Sequence, residues 1–171
     1  MPITISRTWT LEQAVKILAE ITEATPDLDR NGLYAGTACP RWPLSEYDAP
    51  AFVASVRFTE EVVIPNLTKQ KGREAFKIST RLLKIFATQA IEAAADEHIY
   101  IPHSALISAF IFCRVPFKRC RRNADAEVTL TKEILDKIRK RERLEIPGGI
   151  SIHLAEFSPW CAAREGLLHH V

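Results

Sequence analysis

Arg73–Ala95, REAFKISTRLLKIFATQAIEAAA, is the stretch that decides the fold. It holds no Pro or Gly and is rich in Ala, Leu, Lys and Glu, the composition of a good helix. Taken as one helix advancing about 100° per residue, it gathers Arg73, Lys77, Arg81 and Lys84 within about 80° of one another. Ile78, Leu82, Leu83, Phe86 and Ala90 then fall on the other side. The spacing predicts one long helix with an exposed basic stripe and a broad apolar face that buries Leu82, Leu83 and Phe86.

On its N-terminal side, Thr10 and Gln13 stand at capping-box spacing, and Leu11, Ala14, Val15, Leu18 and Ile21 line one face of a first helix. Thr25-Pro26 ends it. Residues 27–50 break the periodicity, with a turn signal at Asn31-Gly32 and prolines at 40, 43 and 50, yet they are too apolar for a linker. They read as an irregular packed loop. Ala51–Phe58 carries both strand and helix periods; Pro50 as a first-turn residue favours helix, stopped by Pro65.

On the C-terminal side, Ile99–Ile101 looks extended, and Ser104–Phe112 is a buried helix or a central strand. Thr131 caps a helix from Lys132 to about Leu144 with Ile134, Leu135 and Ile138 facing in. Pro147-Gly148-Gly149 turns the chain. Ile150–Glu156 alternates like a half-wet strand, with a short helix and a frayed end to follow. The expectation is an α+β fold. Residues 1–171 form a single, mostly helical domain whose small sheet takes Ile150–Glu156, with Ile3–Ile5 and Ile99–Ile101 as further strands. A basic helix running into Pro-Gly-Gly and a strand also fits a winged-helix-like arrangement with Lys132–Leu144 as the recognition helix.

Composition is ordinary for a globular protein, at 47% hydrophobic and 26% charged residues, which argues against disorder. No apolar run is long enough to span a bilayer, and the N-terminus lacks a signal-peptide core, so a cytoplasmic location is expected. The net charge is only +2, but it is unevenly laid out. Residues 1–67 carry five basic and nine acidic groups, whereas residues 114–143 carry eleven and five. Such asymmetry steers polyanions or acidic proteins.

The densest chemistry lies in the basic loop 114–123, within Cys113–Asn123, CRVPFKRCRRN. Lys118, Arg119, Arg121 and Arg122 have the crowding that phosphate contacts need, and Phe117 and Tyr100 offer rings on which unpaired bases stack. With the Arg73, Lys77, Arg81 and Lys84 stripe, they make non-catalytic nucleic-acid binding, to DNA or RNA, the first functional reading. The second is a protein-interaction or regulatory role, as an adaptor, assembly factor or inhibitor that binds an acidic partner, with Arg41, Trp42 and Tyr47 as interface anchors. The third is a small enzyme with a Cys/His pair drawn from His103, His153 and Cys161, with Glu156 as a further acid–base candidate. The four cysteines, at 39, 113, 120 and 161, lack a short chelating turn. Reduced thiols, no metal and no cofactor are expected. Basic neighbours are expected to lower the thiol pKa values at 113 and 120.

Overall fold

The computed structural model describes residues 9–33, 44–68, 76–96, 98–120 and 124–146. The expected strands at 3–5 and 150–156 and the expected C-terminal helix lie outside these residues.

The chain is mixed α+β. Helix α1, Leu11–Ala24, starts on the predicted capping box, with Thr10 and Gln13 each bonded to the other's backbone N–H. A hairpin follows, strands β1 (Leu28–Asp29) and β2 (Gly32–Leu33), turned by Arg30-Asn31. Gly32 has φ +132°, and a Cβ there would lie 2.0 Å from the Ala124 carbonyl oxygen, so only glycine fits. A short 3₁₀ turn, Glu46–Asp48, leads into α2, Ala49–Phe58, with Pro50 in its first turn as expected. Pro65 does not end the helical path at once. It continues through a π turn, Thr59–Val63, and a 3₁₀ turn, Ile64–Asn66.

The stretch Arg73–Ala95 is not one helix. Phe76–Ser79 forms strand β3, and α3 runs from Thr80 to Ala95. The physical reason is a period-2 signal: Phe76 and Ile78 turn inward while Lys77 and Ser79 turn outward. Ser79 ends the strand and caps the helix by accepting the Leu82 N–H at 3.1 Å. Starting the helix at Thr80 moves the buried face round to Thr80, Leu83, Phe86, Ala87, Ala90 and Ile91. Leu82, expected inside, is exposed, as is Ile85.

Helix α4, His103–Phe112, settles the ambiguous apolar run as helix. Its residues from His103 to Phe110 are all buried, as a helix apolar on every side must be. Strands β4 (Lys118–Arg119) and β5 (Ala126–Leu130) complete an antiparallel sheet in the order β3-β5-β4. Phe76 pairs Leu130 and Ile78 pairs Val128 on the inner face; Lys77 pairs Thr129, and Ser79 and Lys118 both face Glu127 on the outer one. Ile99–Ile101, expected as a strand, joins no sheet. Helix α5, Lys132–Arg139, follows β5 through Thr131 alone and is shorter than expected. It buries Ile134, Leu135 and Ile138 as predicted. A strand, rather than a tightly turned helix, thus leads into it.

Two apolar clusters share α4. One lies between α3, α4, the sheet and α5 around Phe58, Leu83, Ile91, Leu106 and Phe110. The other joins α1, the hairpin and α2 around Leu18, Phe52, Val56 and Ile107. Trp9 closes it with edge-on contacts to Phe52 and Phe112 at 6.0 and 5.2 Å.

The corrected face of α3 sets a contrast. Leu83→Ala is expected to cost about 2–5 kcal/mol, as for a buried leucine, and Leu82→Ala no more than about 0.5 kcal/mol. Urea unfolding of the two variants checks this. Equal costs would mean that the face is misplaced.

Candidate functional site

Ser79, Thr80 and Arg81 form the junction where β3 becomes α3. There the first turn of α3 presents backbone N–H groups that have no partner within the helix. Asp125, just before β5, meets them. Its Oδ1 accepts from the Thr80 hydroxyl at 2.8 Å, the Arg81 N–H at 3.1 Å and the Ala126 N–H at 2.8 Å. The register that pairs Ser79 with Glu127 brings Asp125 to this place. A carboxylate at a helix N-terminus is also favoured by the helix dipole. Burial by itself raises the pKa of Asp125. Hydrogen bonds from Thr80, the Ala126 N–H, Ser79 and the Arg81 N–H outweigh it and hold the carboxyl below its ordinary value of 3.8.

His103, the first residue of α4, completes the cluster. Its Nε2 lies 2.7 Å from the Thr80 hydroxyl and 3.5 Å from Asp125 Oδ1. Its Nδ1 lies 3.0 Å from the Asn31 carbonyl, and the neighbouring Ser104 hydroxyl donates to the Arg30 carbonyl at 3.2 Å. The cluster therefore ties the hairpin, α4, α3 and β5 together. Burial is the largest influence on His103 and lowers its pKa. The Asn31 carbonyl and Asp125 oppose this, Arg81 and Lys84 reinforce it, and the net position is below 6.5. Thr80 is fully buried and His103 nearly so. The hydroxyl stands between histidine and carboxylate, not at the end of a nucleophile–histidine–acid line, and both imidazole nitrogens lie within hydrogen-bond distance of an oxygen. The arrangement is built to hold elements together.

The sequence-predicted residues are distributed more widely. Lys77 lies on β3 and not on the helix, so the four-residue helical stripe is broken; Arg81 and Lys84 remain together on α3. Arg73, Arg121, Arg122, Arg41 and Trp42 lie outside the described residues, as do Cys39, His153, Glu156 and Cys161. Lys118 is exposed on β4 opposite Glu127. Arg119 is bonded to Asp27 at 2.9 Å. Phe117 is half-buried against the core, its ring 6.4 Å from that of Phe110. Tyr47 is exposed at the 3₁₀ turn before α2.

On α5, Lys137 sits 3.7 Å from Glu133, and Asp136 meets Arg139 at 3.9 Å. Cys113 and Cys120 are both partly buried. Cys120 is pushed up, chiefly by burial and then by Glu127 and Asp125, contrary to the expected lowering by basic neighbours. Among the described residues no three His, Cys, Asp or Glu side chains cluster as metal ligands. No helix of these residues is long and apolar enough to cross a membrane.

Sequence reasoning missed the surface of α3. Leu82 and Ile85 are 45% and 49% exposed, and Tyr100 is 65% exposed. The Lys84 ammonium lies 5.3 Å from the centre of the Tyr100 ring, a cation–π contact. Arg81 is exposed beside Leu82. Neither Arg81 nor Lys84 makes an ion pair among the described residues. The available signal was the phase of α3, hidden until its first residue is known.

No family model, curated protein or solved structure matches this chain.

The lowered pKa of Asp125 fixes a sign. Its contribution to stability is present above about pH 3.8, its ordinary value, and is lost as pH falls through the lower folded-state value. Asp125→Asn is expected to be less stable than the parent at neutral pH, with the gap closing as pH drops below about 3.8. Unfolding curves across pH 2.5–7, taken as roughly the range over which carboxylates titrate, check this. A gap that does not change with pH would contradict it.

Proposed function

We propose that this protein is a non-catalytic interaction module whose α3 face binds an acidic, amphipathic segment of a partner protein. The observation that carries this reading is the joint exposure of Leu82, Ile85 and Tyr100 beside Arg81 and Lys84. Leu82 and Ile85 are three residues apart and so share one helix surface. Scattered single exposures are ordinary, but grouped apolar side chains rimmed by charge are what interfaces expose. Tyrosine and arginine are the residue types that most often dominate binding energy. Two cations that make no ion pair among the described residues call for carboxylates, and two aliphatic side chains call for an apolar ridge. An amphipathic helix that alternates acids with leucines supplies both.

Nucleic-acid binding is the second reading; of the basic residues expected to carry it, Lys77, Lys118 and Arg119 are the described ones outside α3, and Arg73, Arg121 and Arg122 lie outside the described residues. Lys77 and Lys118 share the outer face of the sheet on its two edge strands, but they are offset by two residues along the strands, Lys77 opposite Thr129 and Lys118 opposite Glu127, about 12 Å apart. Glu127 is the cross-strand partner of Lys118 on that face, and Arg119 is already matched by Asp27. Aliphatic Leu82 and Ile85 have no use in phosphate recognition. The balance therefore favours a protein partner.

The test uses the full chain and two probes: a helical peptide of about twenty residues with Glu and Leu on opposite faces, and a single-stranded oligonucleotide of similar charge. The peptide is expected to shift the methyl signals of Leu82 and Ile85 and the ring signals of Tyr100. Ile85→Asp should weaken binding by about tenfold or more, and Lys84→Glu should weaken it and reduce its salt dependence. If the oligonucleotide binds and the peptide does not, the nucleic-acid reading replaces this one. Peptide shifts confined to other surfaces would also overturn it.

A further inference from the structure

Three short contacts run in line through the buried cluster. The Asn31 carbonyl lies 3.0 Å from His103 Nδ1, His103 Nε2 lies 2.7 Å from Thr80 Oγ1, and Thr80 Oγ1 lies 2.8 Å from Asp125 Oδ1. Each contact needs a proton between its atoms. The Asn31 carbonyl supplies none, and an ionised carboxylate supplies none. Thr80 supplies one and a neutral imidazole supplies one. Two protons cannot serve three contacts. With His103 neutral and Asp125 ionised, one contact must set lone pair against lone pair, whichever tautomer the ring adopts.

We infer that Thr80, His103 and Asp125 form a buried proton-binding site that latches the β1–β2 hairpin to α4, closing fully only when His103 is an imidazolium. The third proton belongs on His103 because Asp125 Oδ1 already accepts from the Ala126 and Arg81 N–H groups. Such bonds favour the carboxylate form. The contact that gives way when the third proton leaves is the one to Asn31. Thr80 and Asp125 are held by packed elements, and the Ala126 N–H also donates to the Thr80 hydroxyl at 3.2 Å. Asn31 belongs to a hairpin with two-residue strands.

The surrounding charges set where the latch works. From β5, Asp125 draws a proton to the ring; from α3, Arg81 and Lys84 repel it. On the hairpin, Arg30 is paired with Asp48 at 3.5 Å. Asp29, also buried there, accepts the Asn31 N–H at 2.8 Å. Burial keeps proton uptake below pH 6.5. The latch is therefore open at neutral pH and closes on acidification. This inference does not depend on what α3 binds.

Nitrogen-detected NMR of the His103 ring in the full chain, with amide shifts followed across pH 4.5–8, tests it over roughly the range in which a histidine titrates. The expected result is a neutral ring protonated on Nε2, which gains its second proton on Nδ1 below pH 6.5 while the Asn31 and Gly32 amides shift with the same midpoint. Asp125→Asn should lower that midpoint by roughly half a unit or more, since it removes the charge that favours the imidazolium. A ring that keeps its proton on Nδ1 throughout, with flat Asn31 and Gly32 signals, overturns the inference. So does a ring that takes up no proton before the chain unfolds, or a midpoint unmoved in Asp125→Asn. Should that variant fail to fold, the parent's tautomer and amide shifts decide alone.

Discussion

The Thr80 hydroxyl, held between Asp125 and His103, is the point on which the other elements depend. No loop separates β3 from α3, so the residue that ends the strand also caps the helix. That arrangement has little tolerance. The strand fixes Ser79 against Glu127, and the neighbouring Asp125 then has to satisfy N–H groups that α3 cannot satisfy itself. A buried carboxylate is costly unless hydrogen-bonded, and this one has several donors. Removing any donor leaves the others facing a less well-held charge. The junction thus couples strand register to helix start, and a slip in one would disrupt the other.

From that junction the rest of the packing follows. Through His103 and Ser104, the same cluster holds the first turn of α4 against the hairpin. With its start fixed, α4 runs between the two apolar clusters and is covered on nearly all sides. Small residues on the neighbouring helix, Ala51, Ala54 and Ser55, and Ala105, Ser108 and Ala109 on α4 itself, are all buried. Without long side chains at those positions, α2 and α4 can approach closely. The start of α3 also sets its rotational phase. It buries Leu83 and Phe86 and turns Leu82 and Ile85 outward. The outer surface is therefore a consequence of the buried polar junction.

Much of the fold was legible in the sequence where a local signal was complete. The Thr10–Gln13 box, the Asn31-Gly32 turn, the first-turn Pro50 and the inward Ile134, Leu135 and Ile138 are each specified within a few residues. The misreading of Phe76–Ser79 had a different origin. Four residues of period 2 adjoin a long period-3.6 run without Pro or Gly between them, and helix propensity extends smoothly across the join. Ala126–Leu130 alternates just as regularly and pairs with it, but strand pairing is a long-range fact. The Thr80–His103–Asp125 cluster was not legible, since its members are brought together only by that pairing and by the turn into α4. Its histidine stood out by type, while Thr80 and Asp125 looked like ordinary helix and loop residues.

Charge counts along the chain do not by themselves say which cations stay unmatched at the surface. A basic residue matters to a partner only if its own protein has not already matched it. Arg119 is matched by Asp27, Arg57 by Glu61, Lys137 by Glu133 and Arg139 by Asp136. Exposed pairs of this kind add little stability, and each offsets one of the charges that a linear count assigns to its segment. Arg81 and Lys84 belong to a less basic part of the sequence, yet no carboxylate pairs with them among the described residues. They also flank aliphatic side chains, where displaced water strengthens any charge contact that a partner makes. A weakly basic protein can thus hold unmatched positive charge outside its most basic stretch.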